Sequence, residues 1–356
     1  MVYQPNKAIH PGKTVQKILD QLDMTQKNLA ERTGLSEKHI SQIINGEASI
    51  TADTAMLFEN ALGGAASFWI NLDKNYRATF ARLDQENKAR SEINLINQFP
   101  YSELVKSNRV EATLDKVERV INLWKFFGVN SLLSIPSTEA AAYRRGYNQV
   151  INQGALAAWL RCGEIDMQKL DFEISQYNEN RLKEVLSTIR SMTQQLDSNF
   201  FKNIQNTLAG AGVGLVAVQH LKGTKASGAT RWIGDNPLIQ ISIYGRDADK
   251  FWFTLFHEIG HVLLHGKKEQ FISFISGGEK TSNELQADEF AANALIPTNL
   301  YKNFLMRQDF SENSIKGFAD QEKIDAGIVV GRLKNDGWIP FTAYQHLHRK
   351  LVMTND

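Results

Sequence analysis

A chain of 356 residues is longer than one hydrophobic core ordinarily holds, so two or three domains are expected, each long enough to bury a sizeable core. Hydrophobic content of 42%, charged content of 22% and only 7 prolines exclude a disordered or fibrous chain. Lysine and arginine total 40 against 39 acidic residues, a net charge of +1, which excludes a global pull toward nucleic acid or an anionic membrane; any DNA contact must come from a local surface.

The single cysteine, Cys162, has no partner for an intramolecular disulfide, and the N-terminal MVYQPNKAIHPG lacks the apolar core of a signal peptide. The longest apolar runs, such as Gly212 to Val218, fall well short of the roughly 18 to 20 residues that span a bilayer. A cytoplasmic protein without membrane association is the expectation. No repeat or low-complexity tract marks a linker. Changes of pattern divide the chain into 1–80, 81–200 and 201–356, and the expected fold class is α+β, mostly helical.

In the first segment Val15, Ile18, Leu19 and Leu22 recur at helical spacing. Thr25 is a good N-cap for a short helix that places Leu29 and Ala30 inward and stops at Gly34. Ser36 caps the next, with Ile40, Ile43 and Ile44 as its apolar stripe and Asn45-Gly46 as its left-handed stop. A further helix runs from about Thr51 to Leu62, giving four or five small helices.

The run TQKNLAERTGLSEKHISQIINGEASIT resembles the helix-turn-helix of phage-repressor-like regulators, and with the IHPG lead-in it is similar to the HigA branch of antitoxin regulators, over about residues 8 to 80. The resemblance implies that Gln26 opens the first helix of the motif against a phosphate and that the second helix enters the major groove of operator DNA. By position Glu37, Lys38, Ser41 and Gln42 become base-edge candidates, with His39 and Asn45 near the backbone. Lys38 and Gln42 suit guanine and adenine edges; Glu37 repels phosphate and is useful only opposite a cytosine amino group. Acidic and basic side chains balance here, which favours the competing reading of a helical bundle with a solvated surface. A homodimer on a pseudo-palindromic site would compensate.

The middle segment carries helical periods in VERVINLWKFFGV, LAAWLRCGEI and LKEVLSTIRSM, with turn signals at Ile135-Pro136 and Gly163, so a helical layer is expected. It holds no cluster of His, Cys and carboxylates. Trp124 and Trp159 lie on apolar faces and read as core. Cys162 reads as a small buried hydrophobe, the alternative being a thiolate that closes a metal site.

After about Asn199, strand-like runs at GLVAV, RWIG and LIQISI alternate with helical segments, an α+β signature. The run Ile239 to Ile243 is a candidate edge strand. Phe251 to His265, FWFTLFHEIGHVLLH, reads as a helix on which His257 and His261 share a face and can bind one cation. Glu258 is turned about 100° around the axis. Beside the ion rather than on it, that side chain suits a general base, because three protein ligands leave zinc a fourth position for water. TSNELQADEFAANALIP then places Glu284 and Asp288 four apart on a second helix. Glu284 is the candidate third ligand and Asp288 the candidate partner of a ligand imidazole's other nitrogen; a swap of the two by one helical turn stays open.

Through FTLFHEIGHVLLHG, ELQADEFAANALIP and AGIVVGRLKNDG, about Gly212 to Asp336 resembles the ImmA/IrrE family of metallopeptidases. That resemblance implies a zincin-like, gluzincin-type domain with His257, His261 and Glu284 on zinc, Mn being also acceptable, and Glu258 as catalytic base. Asp288 stands where the family often has Asn. His265 falls outside the ligand set, as a helix-end charge or cap. Tyr344, His346 and Arg332 are candidate donors to the transition state, and HLHRKLVM reads as a terminal helix. The leading expectation is a transcriptional regulator fused to a zinc endopeptidase that cleaves a repressor or antitoxin-type protein. The alternative is a HigA-like autoregulating antitoxin that binds operator DNA and a toxin, with a non-catalytic zinc site. Glu258 argues against it, since a structural zinc needs no base.

Overall fold

The computed structural model of the chain describes residues 5–135, 152–195, 197–243, 247–267, 270–274 and 281–351. It has two compact units, one of residues 1–94 with 113–121 and the other of residues 95–112 with 122–356.

The first unit begins with α1 (Pro11–Gln21), and the IHPG lead-in explains its start. His10 is the N-cap, its Nδ1 accepting the Gly12 N–H at 2.9 Å, and Pro11 occupies the first turn, where its missing N–H costs nothing. Gly12 lies so close to the next layer that a Cβ there would stand 2.1 Å from the Ile44 carbonyl oxygen. Helices α2 (Gln26–Thr33) and α3 (Glu37–Asn45) follow, capped by Thr25 and Ser36 and stopped by left-handed Gly34 and Gly46. Next come α4 (Ala52–Leu62) and α5 (Ala66–Ser91). Val15, Leu19, Leu29, Ile40, Ile43, Ala55, Phe58 and Trp69 form one core. The fifth helix departs from the expected small size, with 26 residues. No Gly or Pro interrupts it, and pairs four apart, Asp73–Arg77, Arg82–Glu86 and Asp84–Lys88, support its exposed length.

Helices α6 (Tyr101–Lys106), α7 (Lys116–Phe127), α8 (Gln153–Gln168), α9 (Glu179–Ser191) and α10 (Phe200–Gly210) precede the sheet. Trp124 and Trp159 are buried, as the sequence indicates. Pro136 lies outside the described residues. Gly163 corrects the reading as a turn: it sits inside α8, and a Cβ there would be 2.0 Å from Gln240 Oε1. Its small size admits the Gln240 amide, which donates to the Trp159 carbonyl at 2.6 Å.

Strands β1 (Gly214–Gln219), β2 (Ala226–Ile233), β3 (Asn236–Ile243) and β4 (Phe271–Phe274) make a mixed sheet in the order β1-β3-β2-β4. β3 is parallel to β1 and antiparallel to β2, which is antiparallel to β4. The candidate edge strand at Ile239–Ile243 is therefore central. Its polar residues Gln240 and Ser242 are buried, as a central strand requires. The edge nearest the histidines is β4, a four-residue strand the sequence reading passed over.

Against the sheet packs α11 (Ala248–Leu264), followed after β4 by α12 (Ser282–Leu295), α13 (Thr298–Met306), α14 (Glu312–Glu322) and α15 (Ala326–Asn335). Leu215, Ile239 and Ile241 meet Trp252, Leu255, Phe256 and Ile259 in one core that extends to Val329, Val330 and Leu333. The predicted terminal helix is only a 3₁₀ turn at Gln345–Leu347. Beyond it the backbone pairs Lys350 with Asp247, and His348 and Lys350 side chains pair with Asp249 and Asp247, contacts that a continued helix would forgo. Among the described residues no helix is long and apolar enough to cross a membrane.

Gly12→Ala is expected to destabilise the first unit by about 1–3 kcal/mol, the usual scale of forced overpacking. Denaturant unfolding of the wild type and variant checks it; an unchanged midpoint would mean that α1 and α3 can separate freely.

Candidate metal centre

Two helices build the centre, and three small residues let them do so. Gly260 of α11 faces α12 so closely that a Cβ would lie 3.0 Å from the Phe290 ring and 3.3 Å from Ala287 Cα. Ala287 and Ala291, four apart on α12, are fully buried. Thr281 caps α12, its hydroxyl accepting the Glu284 N–H at 3.3 Å, and fixes Glu284 in the first turn.

The approach brings three donors together. His257 Nε2 and His261 Nε2 are 3.0 Å apart, Glu284 Oε2 is 3.3 Å from His257 Nε2, and Glu284 Oε1 is 3.3 Å from His261 Nε2. All three side chains are buried. A tetrahedral ion with bonds of about 2.0–2.1 Å holds its ligand atoms about 3.3 Å from one another. The two imidazole nitrogens and the carboxylate, whose two oxygens each face one of them, converge at close to that spacing, and the buried imidazole-carboxylate chemistry suits a divalent transition metal, so the residues present fit the ion.

Each imidazole is held from behind. Asp288 Oδ1 is 2.9 Å from His257 Nδ1, a partner that would keep a proton on Nδ1 and leave Nε2 for a bound ion. His261 Nδ1 lies 3.0 Å from His265 Nδ1, and His265 Nε2 lies 3.2 Å from Gln286 Oε1. His265 is the C-cap residue of α11, so it occupies the predicted helix end while supporting His261. Phe271 of β4 stacks on the His261 ring at 4.2 Å.

These contacts displace the titrations of the three groups. Burial pulls the His257 imidazole down, but hydrogen bonding to Asp288 and Glu284 and the charges of Glu258 and Glu284 outweigh it and lift the group to about 10. Burial pushes Glu284 up, yet its two imidazole partners prevail and hold it at about 2. Burial also pushes the Glu258 carboxyl above its ordinary range, against the pull of His261, His257, Ser273 and Thr230.

Glu258 is fully buried beside the triad, not within it. Its Oε2 accepts from Thr230 Oγ1 at 2.7 Å and its Oε1 from Ser273 Oγ at 2.6 Å. Neither hydroxyl was singled out in the sequence. Ser273 lies on β4, whose short apolar run FISF is the one sequence signal for a strand there. The other candidates lie elsewhere: Tyr344 donates to the Phe310 carbonyl, His346 pairs with Glu312, and Arg332 pairs with Asp336 over the Tyr301 ring. The Cys162 thiol is buried in α8 and pushed up to about 11 by that burial. It is outside the donor set.

On the first unit, Lys38, Ser41, Gln42 and Asn45 follow the three- and four-residue spacing of one face of α3. Glu37, Lys38 and Asn45 are exposed, while Gln26, His39, Ser41 and Gln42 are partly so. Asn45 Nδ2 donates to Ser41 Oγ at 3.3 Å.

A helix-turn-helix family model matches residues 15–69, and a model described as the IrrE N-terminal-like domain, a peptidase family, matches residues 214–317. Virulence-associated protein I of Dichelobacter nodosus is 31% identical over 81 residues, 22% of this chain and 75% of that protein. Among solved structures, a putative antidote protein of a plasmid maintenance system from Nostoc punctiforme is 35% identical, over 25% of this chain and 94% of its own, with a TM-score of 0.23. An addiction module antidote protein of a HigA family from Coxiella burnetii is 33% identical, over 24% and 95%, also at 0.23. The chain is thus a DNA-binding helix-turn-helix regulator joined to a domain of a metallopeptidase family. It belongs to the helix-turn-helix family that includes virulence-associated protein I.

Hydrogen bonding to Asp288 and Glu284 lifts the His257 imidazole to about 10, so the expected outcome is that ligation displaces a proton from it. Metal uptake at pH 7.5 is expected to release about one proton per ion, and affinity to fall as pH falls. Calorimetry in buffers of different ionisation enthalpy reads this directly. Uptake with no proton release would mean that the imidazole is neutral beforehand.

Proposed function

We propose that the protein is a transcriptional regulator whose C-terminal segment is a zinc endopeptidase that cleaves a repressor or antitoxin-type protein. The observation that carries the reading is the buried triangle of His257, His261 and Glu284 with a fourth group, Glu258, beside it. Functional segments are proposed at 1–80, 81–200 and 201–356, and a homodimer on operator DNA. Zinc is the proposed ion, with manganese also compatible with two imidazoles and a carboxylate. When bound, the ion supplies Lewis acidity toward water and the scissile carbonyl.

The chain's own residues then divide the work. His257, His261 and Glu284 hold the ion, Asp288 orients His257, and Glu258 takes the proton of the attacking water and passes it to the leaving amine. β4 ends the sheet beside Glu258, so an extended peptide can add to its outer edge through backbone hydrogen bonds. On the DNA side, Glu37, Lys38, Ser41 and Gln42 face base edges, with Gln26, His39 and Asn45 toward the backbone.

The enclosure of Glu258 favours a second reading, an autoregulating antitoxin that binds DNA and a toxin and uses its metal only for folding. Separate variants distinguish the two. Glu258→Gln is expected to keep zinc and DNA binding while abolishing cleavage of candidate repressor- or antitoxin-type proteins. Glu284→Ala should lose zinc as well, and Asp288→Ala should weaken it on the order of 10- to 100-fold. Chelator competition and gel assays measure these. Zinc retained in Glu284→Ala but lost in Asp288→Ala would move the third ligand by one turn. Wild type that cuts nothing would favour the antitoxin.

Lys38→Ala or Gln42→Ala is expected to cost roughly 1 to 3 kcal/mol of operator affinity and to relax base preference. Unchanged footprints in both would place recognition elsewhere.

A further inference from the structure

Glu258 occupies a place on the sheet that is shaped to receive it. Gly228 and Thr230 stand two apart on β2 and so face the same way, and Gly228 pairs directly with Ser273 of β4. Thr230 supplies a hydroxyl to one carboxylate oxygen and Ser273 to the other, at 2.7 and 2.6 Å. At Gly228 a Cβ would stand 2.3 Å from Glu258 Oε1, inside any tolerable contact. The pairing of β2 with β4 also slips between Ala226 and Gly228, an irregularity of the kind that re-aims side chains beside active sites.

A buried carboxylate needs hydrogen bonds from somewhere, so one hydroxyl alone would mean little. Here two strands each give one donor, one per oxygen, and a third position omits its side chain to admit the group. We propose that Gly228, Thr230 and Ser273 form a cradle that positions the Glu258 carboxylate, holding it beside the His257–His261–Glu284 set and ready to accept a proton. They are positioning residues, acting through Glu258. The inference rests on Glu258 being the base.

The contact itself is tested on the full chain without turnover. Gly228→Ala should lower the thermal midpoint in the wild-type background and much less in Glu258→Ala, where the obstructing carboxylate is gone. Equal losses in both backgrounds would overturn the cradle. Should Gly228→Ala fail to fold, the cycle of Thr230→Val with Glu258→Ala asks the same question, and additive losses would count against the proposal.

Positioning is tested with zinc-loaded protein and a degenerate peptide library read by mass spectrometry, followed by kinetics on a peptide it selects. Thr230→Val and Ser273→Ala should each lower kcat on the order of 10- to 100-fold with little change in KM. Zinc affinity by chelator competition should be unchanged, and Thr230→Ser and Ser273→Thr should recover most of the rate. Wild-type kcat in both truncations, or a loss that follows zinc affinity, would overturn the positioning role while leaving Glu258 as base. A library left uncut by wild type and by Glu258→Gln alike would remove the base reading, and this inference with it.

Discussion

The close approach of α11 and α12 at Gly260 is the constraint on which the centre depends. Helices ordinarily pack with axes about 8–10 Å apart, the distance being set by the side chains at the contact. With no Cβ at Gly260 and only alanines at 287 and 291, the glutamate of one helix reaches the imidazoles of the other. A larger residue at any of the three would separate the donors before it disturbed the sheet. The interface is therefore small-residued for a chemical reason as well as a packing one.

Bringing those donors together is costly unless every polar atom finds a partner. The structure meets this with two supporting contacts that share a design but not a residue type: Asp288 behind His257 and His265 behind His261. Hydrogen bonding between His257 and Glu284 lifts the imidazole and lowers the carboxyl, so the two buried groups favour opposite charges. A cation held by His257, His261 and Glu284 would balance the Glu284 charge in the same place. A buried ionic cluster is weak evidence for stability in itself. Its spacing, close to that of a tetrahedral ligand set, is the stronger argument for metal.

Local chemistry was legible in the sequence. Thr25, Ser36, Gly34 and Gly46 punctuate the first helices through contacts with their own neighbours, and the four-residue spacings of His257 with His261 and Glu284 with Asp288 follow from helix geometry alone. Long-range pairing was not. Whether Ile239–Ile243 lies at the edge or the centre depends on β1 and β2, and β4 is a strand chiefly because β2 pairs with it. Gly163 reads as punctuation until Gln240 is seen to fill the space above it. The C-terminal run has helical composition, but Asp247 and Asp249 claim its basic side chains. Thr230 and Ser273 are ordinary strand residues in sequence, and their meaning comes from Glu258 lying over them.

The two matched regions solve opposite electrostatic problems. The peptidase region concentrates charge out of water, where the low dielectric magnifies each contact and a misplaced group is expensive. The helix-turn-helix region keeps its candidate contact residues at or near the surface, and its matched residues 15–69 carry more acidic than basic side chains, so phosphate attraction is modest and, in the proposed DNA complex, base-edge contacts would supply a larger share of the discrimination. A module of that kind gains from a second copy on the same DNA, because linked weak contacts multiply where a single basic surface is lacking. As the homodimer proposed above, it should bind DNA with a steeper dependence on concentration than on salt. The reverse pattern would indicate that phosphate contacts outside α3 carry the affinity.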